Sequence, residues 1–375
     1  MSSPSTSEPY RVLIIGGYGF FGRRLVERLS SQAGLHVIVA GRCAERAAAL
    51  VAELRPQAQA TLGAIALDAQ SDELASWLDG LRVRAVVLAS GPFQGLDYRV
   101  ALACSAAGVH YIDLADGRDF VAGIAAVDVA ATASGVCALS GASTVPALSG
   151  AAVDALTQGW QRVDAIDIGI SPGNRTERGL STIRAVLSYC GRPIPHGDGG
   201  TVTGWLRTRL RRYPAPVGWR ALSPCDVPDL ALMPARYPGQ PVVRFNAGLE
   251  LFVLHLGANV LALAGRLGLV RDWSTHAEWL KRWSDRFLPF GTDAGAMHVS
   301  ARGLDAEGRP ARRTWTLLAT GGDGPWVPTL AAAALVRKLA AGAAPASGAR
   351  PCVGELTLDD FARETGERRI TWSMS

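Results

Sequence analysis

An α/β fold, a parallel sheet wound by helices and followed by a second mixed unit, is predicted by three observations. Short branched apolar runs alternate with amphipathic segments of helical length over the first 150 or so residues. A cluster of glycines stands between the first such run and the first helix. Beyond about residue 150 the pattern changes to longer alternating strands and stretches rich in Pro, Gly and Arg, and every tryptophan except Trp77 lies there.

The elements follow in order. Residues 11–15 are too short for a helix and rich in branched side chains, which predicts a buried parallel strand. Gly16, Gly17, Gly19 and Gly22 follow, then a helix over about 20–29. Residues 36–40 form the second strand, 44–54 a helix stopped before Pro56, and 61–67 a third strand closing at Asp68. Ser71 opens the next helix, with Asp72 and Glu73 in its first turn. Residues 85–89 make strand four, 97–107 a helix, 109–113 strand five, a single helix runs to about 134, and 136–140 make strand six. Strands joined this way make right-handed crossovers, and ligands then lie beyond the carboxyl ends of the strands.

The glycine spacing carries chemistry. Gly17, Gly19 and Gly22 read G-x-G-x-x-G, and Gly16, Gly19 and Gly22 read G-x-x-G-x-x-G. Between a strand and a helix this pattern gives a tight turn, a close backbone approach to a pyrophosphate, and close helix–strand packing. Phosphates then meet the free amides of the helix start, around Phe20 and Phe21. This is a Rossmann-type dinucleotide site. At the end of the second strand, where an NAD-selective site places an acid, the chain has Gly41 and Arg42. A guanidinium suits a ribose 2′-phosphate, so NADP is favoured over NAD. Asp68 and the turn Ser90-Gly91-Pro92-Phe93 complete the expected cofactor-binding set.

Composition excludes several alternatives. Lys281 and Lys338 are the only lysines, and Ala277 and Ala334 stand four residues before them, so the Tyr–Lys pair of short-chain dehydrogenases is absent. The six cysteines show no zinc spacing, and no metal site is expected. The net charge of +5 is unclustered and predicts no nucleic-acid partner. Residues 1–9 read as a disordered tail, and a cytoplasmic location follows from scattered free thiols.

Gly16-Gly-Tyr-Gly-Phe-Phe-Gly22, Ser90-Gly-Pro-Phe-Gln94 and Ala107-Gly-Val-His-Tyr-Ile-Asp-Leu-Ala115 resemble the NADP-binding domain of saccharopine dehydrogenase-like proteins. Gly173-Asn-Arg-Thr-Glu-Arg-Gly179 and Gly321-Gly-Asp-Gly-Pro-Trp326 extend the resemblance through nearly the whole chain. It implies an NADP-dependent oxidoreductase moving hydride to or from a C=N or C=C bond. It also implies that residues 325–375 return to the nucleotide domain of 10–150, with 151–324 inserted as an α+β substrate and dimerisation domain. The turn Gly141-Ala-Ser-Thr-Val-Pro146 is uncharged where saccharopine-forming members are acidic, which argues against an amino-acid substrate.

In the second half, a helix is expected over 147–158, a strand over 163–170, a helix over 182–189, and a hairpin of 297–304 with 312–319. Candidate proton donors at the strand ends are Asp113, Tyr111 and Tyr98. Ser143, Thr144, Arg175 and Arg178 are candidate substrate contacts for a small molecule. The stretch 249–290 pairs an apolar run with Trp279, Trp283 and several arginines. A buried helix pair, a homodimer contact and a peripheral membrane contact all stay open for it. Two other functional readings also stay open: a membrane-associated enoyl reductase of lipid or polyketide chains, and a non-catalytic nucleotide-binding regulator.

Overall fold

The computed structural model describes residues 8–71, 73–197 and 199–375. Most of the expected tail (residues 1–7) and Asp72 at the expected helix start lie outside the described residues. Strands β1 (Tyr10–Ile15), β2 (Leu35–Gly41), β3 (Thr61–Ala66), β4 (Ala85–Leu88), β5 (His110–Asp113) and β6 (Cys137–Ser140) alternate with α1 (Phe20–Ser30), α2 (Ala44–Leu54), α3 (Leu74–Leu81) and α4 (Arg99–Ala106). All pair in parallel. Val12, Leu13, Ile14 and Ile15 are buried, as expected of a strand covered on both faces.

The helix expected after β5 is instead broken into α5 (Arg118–Ala122), a tight turn and α6 (Asp128–Ala133). The break falls where the Tyr98 hydroxyl donates to the Phe120 carbonyl at 2.7 Å. A Cβ on Gly123 would lie 2.4 Å from that hydroxyl, so the chain bends around Tyr98.

After α7 (Ser149–Leu156), the long strand β7 (Arg162–Ser171) centres a second sheet. Helix α8 (Leu180–Ser188) precedes the small antiparallel pair β8 (Pro193–Pro195) and β9 (Thr201–Thr203). Then come β10 (Arg209–Arg212), β11 (Trp219–Pro224), α9 (Asp229–Arg236), β12 (Val242–Ala247), α10 (Phe252–Arg266) and α11 (Ala277–Asp285). The hairpin β13 (Gly295–Leu304) and β14 (Pro310–Ala319) follows, then α12 (Leu330–Ala340), β15 (Gly348–Pro351), α13 (Leu358–Thr365) and β16 (Ile370–Met374).

The first sheet runs β15-β6-β5-β4-β1-β2-β3 and the second β10-β11-β12-β7-β13-β14-β16. The chain is therefore an α/β protein with a Rossmann-type parallel sheet and a second, mixed sheet. Strand β15 pairs in parallel with β6 and returns the chain to the first sheet. The last strand departs from the expected return: β16 pairs with β14 in the second sheet, where Trp372 packs against Trp315 with ring centroids 6.0 Å apart. One apolar core joins the two units, running from Val12 and Ile14 through Leu148 and Leu335 to Ile166, Ile168 and Trp315.

Asp229, at the start of α9, is fully buried, and the Ser149 hydroxyl donates to its Oδ1. Burial pushes its carboxyl up to about 7, so folding favours the protonated form. That contribution is complete below the unfolded value near 4 and is lost as pH rises through about 7. Asp229→Asn is therefore expected to raise the melting temperature at pH 8, by an effect of at most on the order of 4 kcal/mol. The advantage should vanish below about pH 4, where the carboxyl is protonated in both states. Melting curves of both proteins across this range check it, and a pH-independent difference would refute it.

Candidate functional site

The sheet order reverses between β4 and β1, so a crevice opens beyond their carboxyl ends. The glycine turn lies there. Gly16 has φ +80°, and a Cβ on it would lie 2.9 Å from the Ser90 Cβ, which sets β1's turn directly against the turn after β4. A Cβ on Gly22 would lie 2.1 Å from the Gly16 carbonyl oxygen, and one on Gly17 2.9 Å from that of Ile14. Helix α1 starts at an N-cap, Gly19, with no capping side chain. Its first-turn amides at Phe20, Phe21 and Gly22 have no acceptor within the helix. This bare, closely approached helix start fits the pyrophosphate of a dinucleotide.

At the end of β2, the Tyr18 ring covers Gly41, and its hydroxyl accepts from the Cys43 amide at 3.0 Å. Arg46 stacks on that ring at 4.7 Å. Arg42 is exposed and makes no side-chain hydrogen bond or ion pair among the described residues. Asp68 is exposed at the end of β3, where its Oδ1 accepts from the Gln70 amide at 3.0 Å. The second sheet's unit closes over this edge. Gly179 abuts the Phe20 ring, Arg24 pairs with Glu177 at 3.1 Å, and the Ser181 hydroxyl donates to the Gly91 carbonyl at 3.3 Å.

Packing holds the candidate proton donors in place. Asp113 is fully buried, and its Oδ1 accepts from the amides of Ala115 at 3.0 Å and Gly141 at 2.8 Å. It pins the turn after β5 to the turn after β6. Burial raises its carboxyl to about 6. Tyr111 is 1% exposed inside the apolar core, and the Tyr98 hydroxyl is held by Phe120. Asp113 and Tyr111 are thus enclosed, and the Tyr98 hydroxyl is engaged within its own unit.

A different cluster gathers where the two units meet. Half-buried Asp116 follows β5 beside Gln94, and burial raises its carboxyl above the usual range. Arg118 crosses to the second unit and donates to Asp226 at 2.7 Å. Tyr189, half-buried after α8, completes the group. Burial first, then the Cys225 thiol and the charges of Asp116 and Asp226, hold its phenol well above its ordinary value. Sequence reasoning missed these residues because they lie far apart along the chain, with no shared spacing. Only the acid three residues beyond Asp113 and the Tyr189-Cys190-Gly191 turn were visible as signals.

A small cleft runs from Cys225 under β8 and β9. Its floor is Ile194, Leu230, Val243 and Phe245, and its polar groups are His196, Arg207, Arg209, Arg244 and Asn246. Arg207 holds a left-handed backbone, φ +61°. The expected substrate arginines lie elsewhere: Arg178 donates to Asn174, and Arg175 to the Pro289 carbonyl at 3.2 Å. Both brace the loop that follows β7. Ser143 and Thr144 do stand at the strand-end edge, just after β6.

Comparison with known proteins agrees with this geometry. Residues 12–139 match the family model described as the saccharopine dehydrogenase NADP binding domain. No curated protein matches the chain by sequence. Among solved structures, apo saccharopine dehydrogenase (L-Glu forming) from Saccharomyces cerevisiae superposes with a TM-score of 0.68 at 13% identity, covering 98% of this chain and 100% of that one. An amine dehydrogenase from Mycobacterium smegmatis gives a TM-score of 0.47 at 12% identity, covering 92% and 94%. At this identity the yeast structure establishes the shared two-unit fold. The strand order, the glycine cradle and the family match converge on one reading: residues 12–139 are similar to the saccharopine dehydrogenase NADP binding domain.

Proposed function

We propose that the protein is an NADP-dependent oxidoreductase that moves hydride to or from a C=N or C=C bond of a small anionic substrate. Oxidoreductase chemistry with a nicotinamide dinucleotide is supported by the family match and the two-unit fold. The observation that carries the cofactor reading is the glycine cradle, where side chains at Gly17 and Gly22 would strike the backbone of β1 and its turn, so that glycine alone lets the uncapped start of α1 pack this closely. The bound nicotinamide would supply the hydride.

The chain's own residues divide the remaining work. Gly16, Gly17, Gly19 and Gly22, with the amides of Phe20 and Phe21, hold the phosphates. Ser90, Gly91, Pro92 and Phe93 line the neighbouring strand end. Arg42 takes the 2′-phosphate, and Asp68 stands at the same edge. Tyr189, kept protonated, delivers a proton to the carbon or nitrogen that hydride addition leaves anionic, with Asp116 and Asp226 beside it. Arg207, Arg209 and Arg244 hold an acidic group of the substrate over the apolar floor of the cleft.

Arg42→Glu is expected to weaken NADPH binding about 10–100-fold, because it replaces a charge-assisted contact by like-charge repulsion. NADH binding should stay level or improve. Fluorescence titration with both cofactors reads the difference. Stronger binding of NADH than NADPH by the unaltered protein would refute the Arg42 assignment, and binding of neither would refute the oxidoreductase reading.

A further inference from the structure

Helix α10 turns its apolar face outward. Phe252, Val253, Leu256, Val260, Leu263 and Leu267 are 49% to 65% exposed. At about 100° per residue they fall in one stripe roughly 100° wide along the helix. The opposite side, against the body, carries buried Leu254, His255 and Ala262. The segment that follows adds further exposed apolar side chains: Leu269, 75% exposed, Trp279, Trp283 and Phe290.

The segment is one braced unit. Trp273 Nε1 donates to the Leu261 carbonyl at 2.8 Å. At the other end, Glu250 accepts from the Asn174 amide at 2.6 Å, and Asn174 Nδ2 donates to the Phe290 carbonyl at 2.9 Å. Its charges are one-sided. Each acid from 252 to 290 that falls near the patch is engaged: Asp272 with the Ser274 amide, Glu278 with Arg184, and Asp285 with Lys281. Arg266, Arg271, Arg282 and Arg286 are exposed and carry no ion pair among the described residues.

We infer that α10 and residues 267–290 form a peripheral contact that seats on an anionic lipid surface. An outward apolar stripe, exposed tryptophans and a cationic fringe are the elements that hold a helix in the interfacial plane of a bilayer. Among the described residues no helix is long and apolar enough to cross a membrane, so the contact lies on the bilayer. A second copy is the less suitable cover, because an isologous pairing sets one arginine fringe toward its twin, whereas anionic headgroups attract it.

The test is co-sedimentation of the full chain with phosphatidylglycerol-containing vesicles and with pure phosphatidylcholine vesicles. Preferential binding to the anionic vesicles is expected. Leu256→Ser/Leu263→Ser should abolish it, and Arg282→Glu/Arg286→Glu should weaken it about tenfold or more, with melting temperature and NADPH binding retained. No sedimentation with anionic vesicles overturns the inference. So does equal binding to both lipids, or a dimer in sedimentation velocity that the double leucine variant dissociates.

Discussion

Replacing Tyr189 by Phe is expected to lower kcat by about 10²–10⁴-fold while NADPH affinity stays unchanged. The phenol stands where the turn after β5 meets the second sheet, beside Asp116, Asp226 and Cys225. Burial and two neighbouring carboxylates oppose its ionisation, so it remains a proton donor throughout the working pH range. Removing only the hydroxyl keeps the ring's packing and leaves the glycine turn untouched. Reduced turnover with an intact cofactor titration therefore separates proton delivery from binding. Asp113→Ala, which removes the acceptor altogether, supplies the contrast. It disturbs the pin between the β5 and β6 turns, so its effect should appear as a lower melting temperature as well as lower activity. Unchanged kcat in Tyr189→Phe would remove this tyrosine from the mechanism.

Gly22→Ala is expected to reduce NADPH affinity by at least about 100-fold and to lower the melting temperature. The added carbon would lie 2.1 Å from the Gly16 carbonyl oxygen, a backbone atom that cannot rotate away. Relief requires α1 to move off β1 or the turn to open, and either displaces the first-turn amides that would face the pyrophosphate. Gly80→Ala is the control. Gly80 sits within α3 with open space where a Cβ would go, so alanine there should leave binding intact and slightly favour the helix. Binding and melting curves of the two variants decide the matter, and equal behaviour would refute the cradle.

Much of the first sheet was legible in the sequence because its signals are local. Helix α2 spans 44–54 as its periodicity predicts, and the hairpin of β13 and β14 forms around the predicted turn. The glycine cradle was legible for the same reason: a tight turn and a bare helix start demand glycine at fixed spacing. Where a second part of the chain intervened, local reasoning fell short. The helix after β5 breaks because Tyr98, from α4's N-terminus, reaches its carbonyl. Strand β16 joins the second sheet by pairing with β14, where Trp372 meets Trp315 from far upstream.

The sequence by itself determined the alternating α/β architecture, the dinucleotide-type turn, the exclusion of a Tyr–Lys mechanism and the presence of an arginine at the end of β2. Each rests on residue types at short spacing, which fix backbone conformation and chemistry without distant partners. Only the tertiary structure decided that Asp113 is a buried pin, that Arg175 and Arg178 brace a loop, that Asp116, Tyr189 and Asp226 meet, and that α10 shows its apolar face to the outside. Burial and proximity are properties of how the two sheets close on each other. No spacing along the chain encodes which face of a helix the rest of the molecule will leave uncovered.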